Sequence, residues 1–125
     1  MKRLEIEPTV NSAHILLDAE KSVFLIEGKS FPEDSKNFFH PILEWLKEYK
    51  LQKPASFDLK INLFYLSSSS IISVKQILII LMDYQTAGTN VTVSWYYDED
   101  DDDIKKTGED YMKITNLQFI FKENP

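Results

Sequence analysis

Cysteine is absent from the 125 residues, which excludes disulfides, thiolate metal sites, cysteine nucleophiles and any redox switch through sulfur. Long apolar runs are also missing. The longest, Ile77 to Met82, has six residues, against the ~20 that a membrane-spanning helix requires, so no membrane role is expected. The opening "MKRLEIEP" lacks the apolar stretch of ~7–15 residues that marks a secretory signal, and a cytoplasmic location is the expectation. Basic clusters are lacking as well: the 14 lysines and arginines are scattered through a chain of net charge −6. Affinity for phosphate backbones comes mostly from such clusters, so nucleic acid is disfavoured as a partner. Only His14 and His40 are available as imidazole bases, and no G-x-S-x-G elbow accompanies them, which argues against hydrolase chemistry and against an enzyme. With no linker or internal repeat visible, residues 1–125 read as one domain.

What is present suits a single packed core: 43% hydrophobic residues, with eight Phe, six Tyr and two Trp. Acidic residues concentrate in one unbroken run, Asp98 to Asp103. The spaced D-x-D-x-D-G loop of a calcium site is not there, and adjacent like charges favour solvation, so neither a metal nor a cofactor is expected. The run reads as a loop entering a helix, whose N-terminus favours acids. Trp95, Tyr96 and Tyr97 form an aromatic cluster, but without basic neighbours it reads as packing and not as a base-stacking platform.

Periodicity divides the chain. "LEIEPTV", "HILLDAE" and "SVFLIEGKSF" are short strand-like runs, with "AEKS" as a hairpin turn between the second and third. From Asp34 to about Lys50, Phe38, Phe39, Ile42, Leu46 and Tyr49 recur at helical spacing. Asp34 or Ser35 is placed to cap that helix, and Pro41 predicts a kink or a late start. "FDLKINLFYL" alternates as a strand, a helix follows from about Ser69 to Ala87 before Gly88, and "NVTVSWYY" alternates again. "IKKTGEDYMKI" predicts a short helix weakened by Gly108, and "NLQFIFKE" a last strand. The order β-β-β-α-β-α-β-α-β predicts an α/β fold: a mixed sheet with antiparallel N-terminal strands, then α-β-α-β-α-β with right-handed crossovers and parallel pairing.

Between the fourth strand and the second helix lies "YLSSSS", Tyr65 to Ser70. A strand-to-helix loop stands at the carboxyl edge of the sheet, where ligands and partners engage in open α/β folds. One serine can cap the helix by accepting a bond from a backbone N–H. Another can carry a phosphate, which at a helix N-terminus meets unpaired N–H groups and the positive end of the dipole. No basic residue follows locally before Lys75, so the phosphate is expected to disrupt a partner surface and not to dock on an arginine cluster. At ~100° per residue, Ile71, Val74, Ile77, Leu78, Leu81 and Met82 make a core face of the helix, and Ile72 and Ile79 fall off it beside Gln76 and Asp83. Ser67, Ser69, Ser70, Ile72, Gln76 and Ile79 are thus the candidate partner surface. The other use of this apolar stripe is constitutive self-association, in a structural module without a switch.

The order of elements resembles STAS domains of anti-sigma factor antagonists, in which a phosphorylatable hydroxyl lies between a strand and the next helix. "SFPEDS" at Ser30 to Ser35, "LFYLSSSS" at Leu63 to Ser70 and "SWYYD" at Ser94 to Asp98 more closely resemble the SiaC family of regulatory phosphoproteins. In that family the acceptor lies two residues after the Leu of the Tyr-Leu pair and is usually Thr preceded by Asn. Here the position is Ser68, with Ser67 in place of Asn, and Ser67 and Ser69 are the alternatives. The resemblance implies a non-catalytic bacterial signalling protein whose unphosphorylated form binds and activates a diguanylate cyclase or other signalling protein. It also implies a Ser/Thr protein kinase that modifies the chain and a PP2C-type phosphatase that restores it.

Overall fold

Alternation of apolar and polar residues makes the strands. In β4 (Ser56–Leu66), Phe57, Leu59, Ile61 and Leu63 are buried while Asp58, Lys60 and Phe64 are exposed. The computed structural model, which describes residues 1–125, orders the elements as β1 (Leu4–Ile6), β2 (His14–Asp18), β3 (Val23–Ser30), α1 (Ser35–Lys50), β4, α2 (Ser68–Thr86), β5 (Asn90–Tyr97), α3 (Asp102–Thr115) and β6 (Gln118–Glu123). The six strands form one sheet in chain order, with β1–β2 and β2–β3 antiparallel and the later pairs parallel. Consecutive right-handed crossovers that always step the same way put every helix on one face. The opposite face is bare, which is why β4 buries only alternate residues.

α2 lies between α1 and α3 and packs against both. A helix flanked on two sides needs apolar residues over most of its circumference. Its buried side is Ser70, Ser73, Val74, Ile77, Leu78, Ile80, Leu81 and Tyr84. Ile71, expected in the core, is 39% exposed, and Ile80 is buried at 8%. The discrepancy arises because α1 and α3 widen the covered arc asymmetrically: the turn holding Ile71 meets α3 through its backbone, where the Tyr111 hydroxyl donates to the Ile71 carbonyl at 2.6 Å.

Under α1 and α2 the core is aromatic. Phe24 stacks on Phe57 with centroids 4.0 Å apart, and Tyr84 meets Phe57 edge-on at 5.2 Å. The Tyr84 hydroxyl donates to the Leu46 carbonyl, tying α2 to α1. Burial pushes both Tyr84 and Tyr111 up from the ordinary phenol range, so each remains a neutral donor.

Asp34 is the N-cap of α1, accepting from the Asn37 N–H at 3.1 Å. The helix begins at Ser35 and runs through Pro41 without the expected late start. Pro41 and Asn37 are both exposed, so the missing hydrogen bond falls on the solvent side, where water can replace it. Asp101 caps α3, accepting from the Ile104 N–H at 3.0 Å, and Asp102 and Asp103 occupy its first turn. The acidic run thus leads into a helix as the sequence predicts.

The short β1 is fastened by polar contacts. Trp45 Nε1 donates to the Lys2 carbonyl at 2.8 Å, and His14 Nε2 lies 2.9 Å from Glu5 on β1, with Nδ1 3.7 Å from Glu27 on β3. The hydrogen bond to Glu5 raises the His14 pKa above its ordinary 6.5, burial opposes this and Glu27 adds to it. A raised folded-state value means the stabilisation is fully present below the unfolded value of about 6.5 and is lost as pH rises through the folded one. We therefore expect His14→Gln to destabilise the protein, by less than about 1 kcal/mol for so solvated a cluster, at pH near 5.5 and hardly at all at pH 8. Thermal unfolding of both proteins at the two pH values checks this; an equal loss at both would assign His14 a packing role only.

Candidate functional site

β3 and β4 are parallel neighbours, so the loops after them lie side by side at the carboxyl edge of the sheet. That juxtaposition brings Ser30 and Ser35 against the serine run. The Ser67 N–H donates to the Ser30 carbonyl at 2.8 Å, fixing the point where β4 ends. Ser67 then takes extended backbone angles and caps α2, its Oγ accepting from the Ser70 N–H at 3.2 Å. Ser70 is wholly buried, its Oγ 2.7 Å from Ser30 Oγ. Ser69 Oγ lies 2.9 Å from Ser35 Oγ at the start of α1.

The four hydroxyls therefore differ. Ser67 is the cap, Ser69 bridges to α1, and Ser70 is inside the core. Ser70 was expected on the partner surface; burial against Ser30 removes it from any surface. Ser68 is exposed, is the first residue of α2, and takes no part in the hydroxyl bonds that engage its neighbours. Around it are the unpaired N–H groups and the positive dipole end of a helix N-terminus.

Beside this loop a groove of about 520 Å³ runs between α1 and α2. Its apolar lining is Leu43, Ile72, Ile79 and Ile80, and Gln76 lies between the isoleucines. Ile72 is 61% exposed and Ile79 46%, as their position off the core face predicts. α1 adds Lys36, His40 and Lys47, with Ser35 and Ser69 also in the lining. No basic residue follows the serines locally before Lys75, but the fold brings Lys36 of α1 into the same groove as Ser69, which local sequence around the serines does not reveal. A signal was nevertheless present, since residues 36, 40, 43 and 47 fall on one side of a helix at ~100° per residue. Phe31, just past β3, and Tyr65, near the end of β4, are exposed and edge-to-face at 5.4 Å, forming an aromatic pair.

For a cation, Glu5, Glu7 and His14 offer ligand atoms within 4.8 Å of one another on β1, its following residue and β2. His14 is already held by Glu5 and Glu27 there. Asp98 in the acidic run instead accepts from Asn124 Nδ2 at 2.9 Å, and Asp101 is occupied as a cap. No helix is long and apolar enough to cross a membrane.

Among solved structures, the fold matches SiaC of Pseudomonas aeruginosa with a TM-score of 0.91 at 24% identity, covering 99% of this chain and all of that one. It matches equally the activator SiaC in its complex with the diguanylate cyclase SiaD from the same organism, with a TM-score of 0.91 at 24% identity over 97% of this chain and 99% of the other. An uncharacterized protein of Pseudomonas aeruginosa (strain UCBPP-PA14) is 25% identical over 122 residues, 98% of this chain and 97% of that protein. The family model for SiaC regulatory phosphoproteins matches residues 6–124. With the α/β architecture and near-complete coverage in agreement, the chain belongs to the SiaC family of regulatory phosphoproteins.

Proposed function

We propose that the unphosphorylated chain binds and activates a diguanylate cyclase through the α1–α2 groove, and that phosphorylation of Ser68 releases it. The observation that carries this reading is the division of labour among the serines, which leaves Ser68 as the exposed hydroxyl without a structural bond, one turn from Ile72. A Ser/Thr kinase reaches such a group without unfolding the loop, and a PP2C-type phosphatase can remove the phosphate by the same approach. The added charge of about −1.5 to −2 sits beside apolar surface that a partner must desolvate, so it opposes burial there. The cytoplasm, where such enzymes and a cyclase domain meet, is the proposed location.

Ser68→Asp is expected to weaken cyclase binding about tenfold or more, and Ser68→Ala to leave it nearly unchanged, because the hydroxyl holds nothing in the fold. Calorimetry with the cyclase of the same organism measures both. Phosphopeptide mapping after incubation with the kinase fixes the acceptor: label on Ser67 or Ser69 with none on Ser68 would overturn the assignment. Sedimentation separates the rival reading, since a stable dimer with Ile72 and Ile79 at its interface would make the groove a self-association surface.

A further inference from the structure

We infer that the segment seated in the α1–α2 groove is acidic, carrying apolar side chains for the floor and carboxylates for the α1 wall. This deepens the partner reading above and rests on it for the place of docking. The whole chain carries a net charge of −6, yet Lys36, His40 and Lys47 line the groove and no Asp or Glu does. The three occupy one side of α1, with Leu43 among them, opposite Ile72 and Ile79 of α2. Glu44 pairs with Lys47 at 3.6 Å but is not part of the lining, and Lys75 and Asp83 are exposed on α2 outside it. Lys36 makes no salt bridge at the end of the groove where Ser35 and Ser69 meet; Asp34 lines an adjoining hollow with Lys36 and His40, but its carboxylate is engaged as the cap of α1.

The same charges give the switch its sign. A basic wall draws an acidic segment, and a phosphate on Ser68, one residue from Ser69, places negative charge at the mouth of that wall. Repulsion is then directed at the partner and not merely at hydrophobic burial.

Two synthetic peptides with the same leucine pattern, one with glutamate and one with lysine at the flanking positions, test this on the full chain. The glutamate peptide is expected to bind at least tenfold more tightly at about 50 mM NaCl, the preference shrinking at about 500 mM as screening shortens the reach of the charges. Lys36→Glu with Lys47→Glu should reverse it, and Ser68→Asp should weaken the glutamate peptide but not the lysine one. Equal binding of both peptides, a lysine preference, or a preference that survives the double reversal would overturn the inference. The cyclase separates this from the reading beneath it. Cyclase binding that is lost in Ile72→Asp but insensitive to salt and to the double reversal keeps the groove and rejects the acidic segment. Glutamate-peptide binding at the groove with no cyclase binding at all does the opposite.

Discussion

Gly108→Ala is expected to lower the melting temperature by roughly 10 °C, although a glycine-to-alanine change inside a helix ordinarily stabilises by about 0.5–1 kcal/mol. A Cβ at Gly108 would stand 2.6 Å from both Cδ1 and Nε1 of Trp95. The indole cannot retreat. Trp95 is completely buried in β5, its Nε1 donates to the Ile104 carbonyl at 3.0 Å, and Tyr111 meets its ring at 5.7 Å. Overpacking of this kind costs about 1–3 kcal/mol, and displacing the indole would also leave its buried N–H without the Ile104 carbonyl as acceptor, at a further ~1–3 kcal/mol. Even after subtracting the helix propensity gain, about 2–4 kcal/mol remains. Differential scanning calorimetry measures the shift, and a smaller ring provides the control: Trp95→Phe should be destabilising alone but should reduce the added cost of Gly108→Ala. A stable Gly108→Ala protein would mean that α3 lifts freely from the sheet. By contrast Gly88, at φ +103° with nothing near its absent Cβ, resists substitution through backbone strain and not through contact.

That glycine illustrates which parts of the molecule local sequence could disclose. The order of strands and helices, a cap at Asp34 or Ser35 and the entry of α3 from the acidic run follow from periods and turn chemistry within a few residues and are legible in the sequence; that Asp101 is the residue capping α3 is seen only in the structure. Gly108 looked like a flaw in a helix because its reason, the Trp95 ring, arrives from another element. The same holds at the site. Position and the resemblance pointed to the loop, and helical phase put Ile72 and Ile79 outside the core. What separates four identical hydroxyls, however, is Ser30 and Ser35, at the end of β3 and the start of α1, more than thirty residues away in the chain. Lys36 is missed for the same reason, and Ile71 because its surroundings depend on where α1 and α3 flank α2. Periodicity reports the core-facing direction of one helix, not the arc its neighbours cover.

Ile72→Asp combined with Ile79→Asp is expected to lower cyclase affinity at least a hundredfold while lowering the melting temperature by only about 5–10 °C, so that the protein stays folded at 25 °C. The two isoleucines are 61% and 46% exposed, so the folded monomer leaves about half of their surface in water and loses only the buried remainder when they change. In the proposed complex they are the apolar floor against which the partner packs. Fully burying an isoleucine contributes about 1.5–3 kcal/mol, of which roughly half is still to be gained at these positions, and an aspartate in its place must in addition shed hydration without a partner at about 1–3 kcal/mol. Two such changes exceed the ~2.7 kcal/mol that a hundredfold loss represents. Ile80 is the instructive contrast, since it lines the same groove but is 8% exposed; changing it to Asp should unfold the protein and would confuse loss of structure with loss of binding. Circular dichroism and calorimetry on the double variant separate the two effects. Retained affinity in a folded Ile72→Asp, Ile79→Asp protein would remove the groove from the interface and direct attention to the exposed Phe31–Tyr65 pair, in which Tyr65 lies near the end of β4, two residues before Ser67.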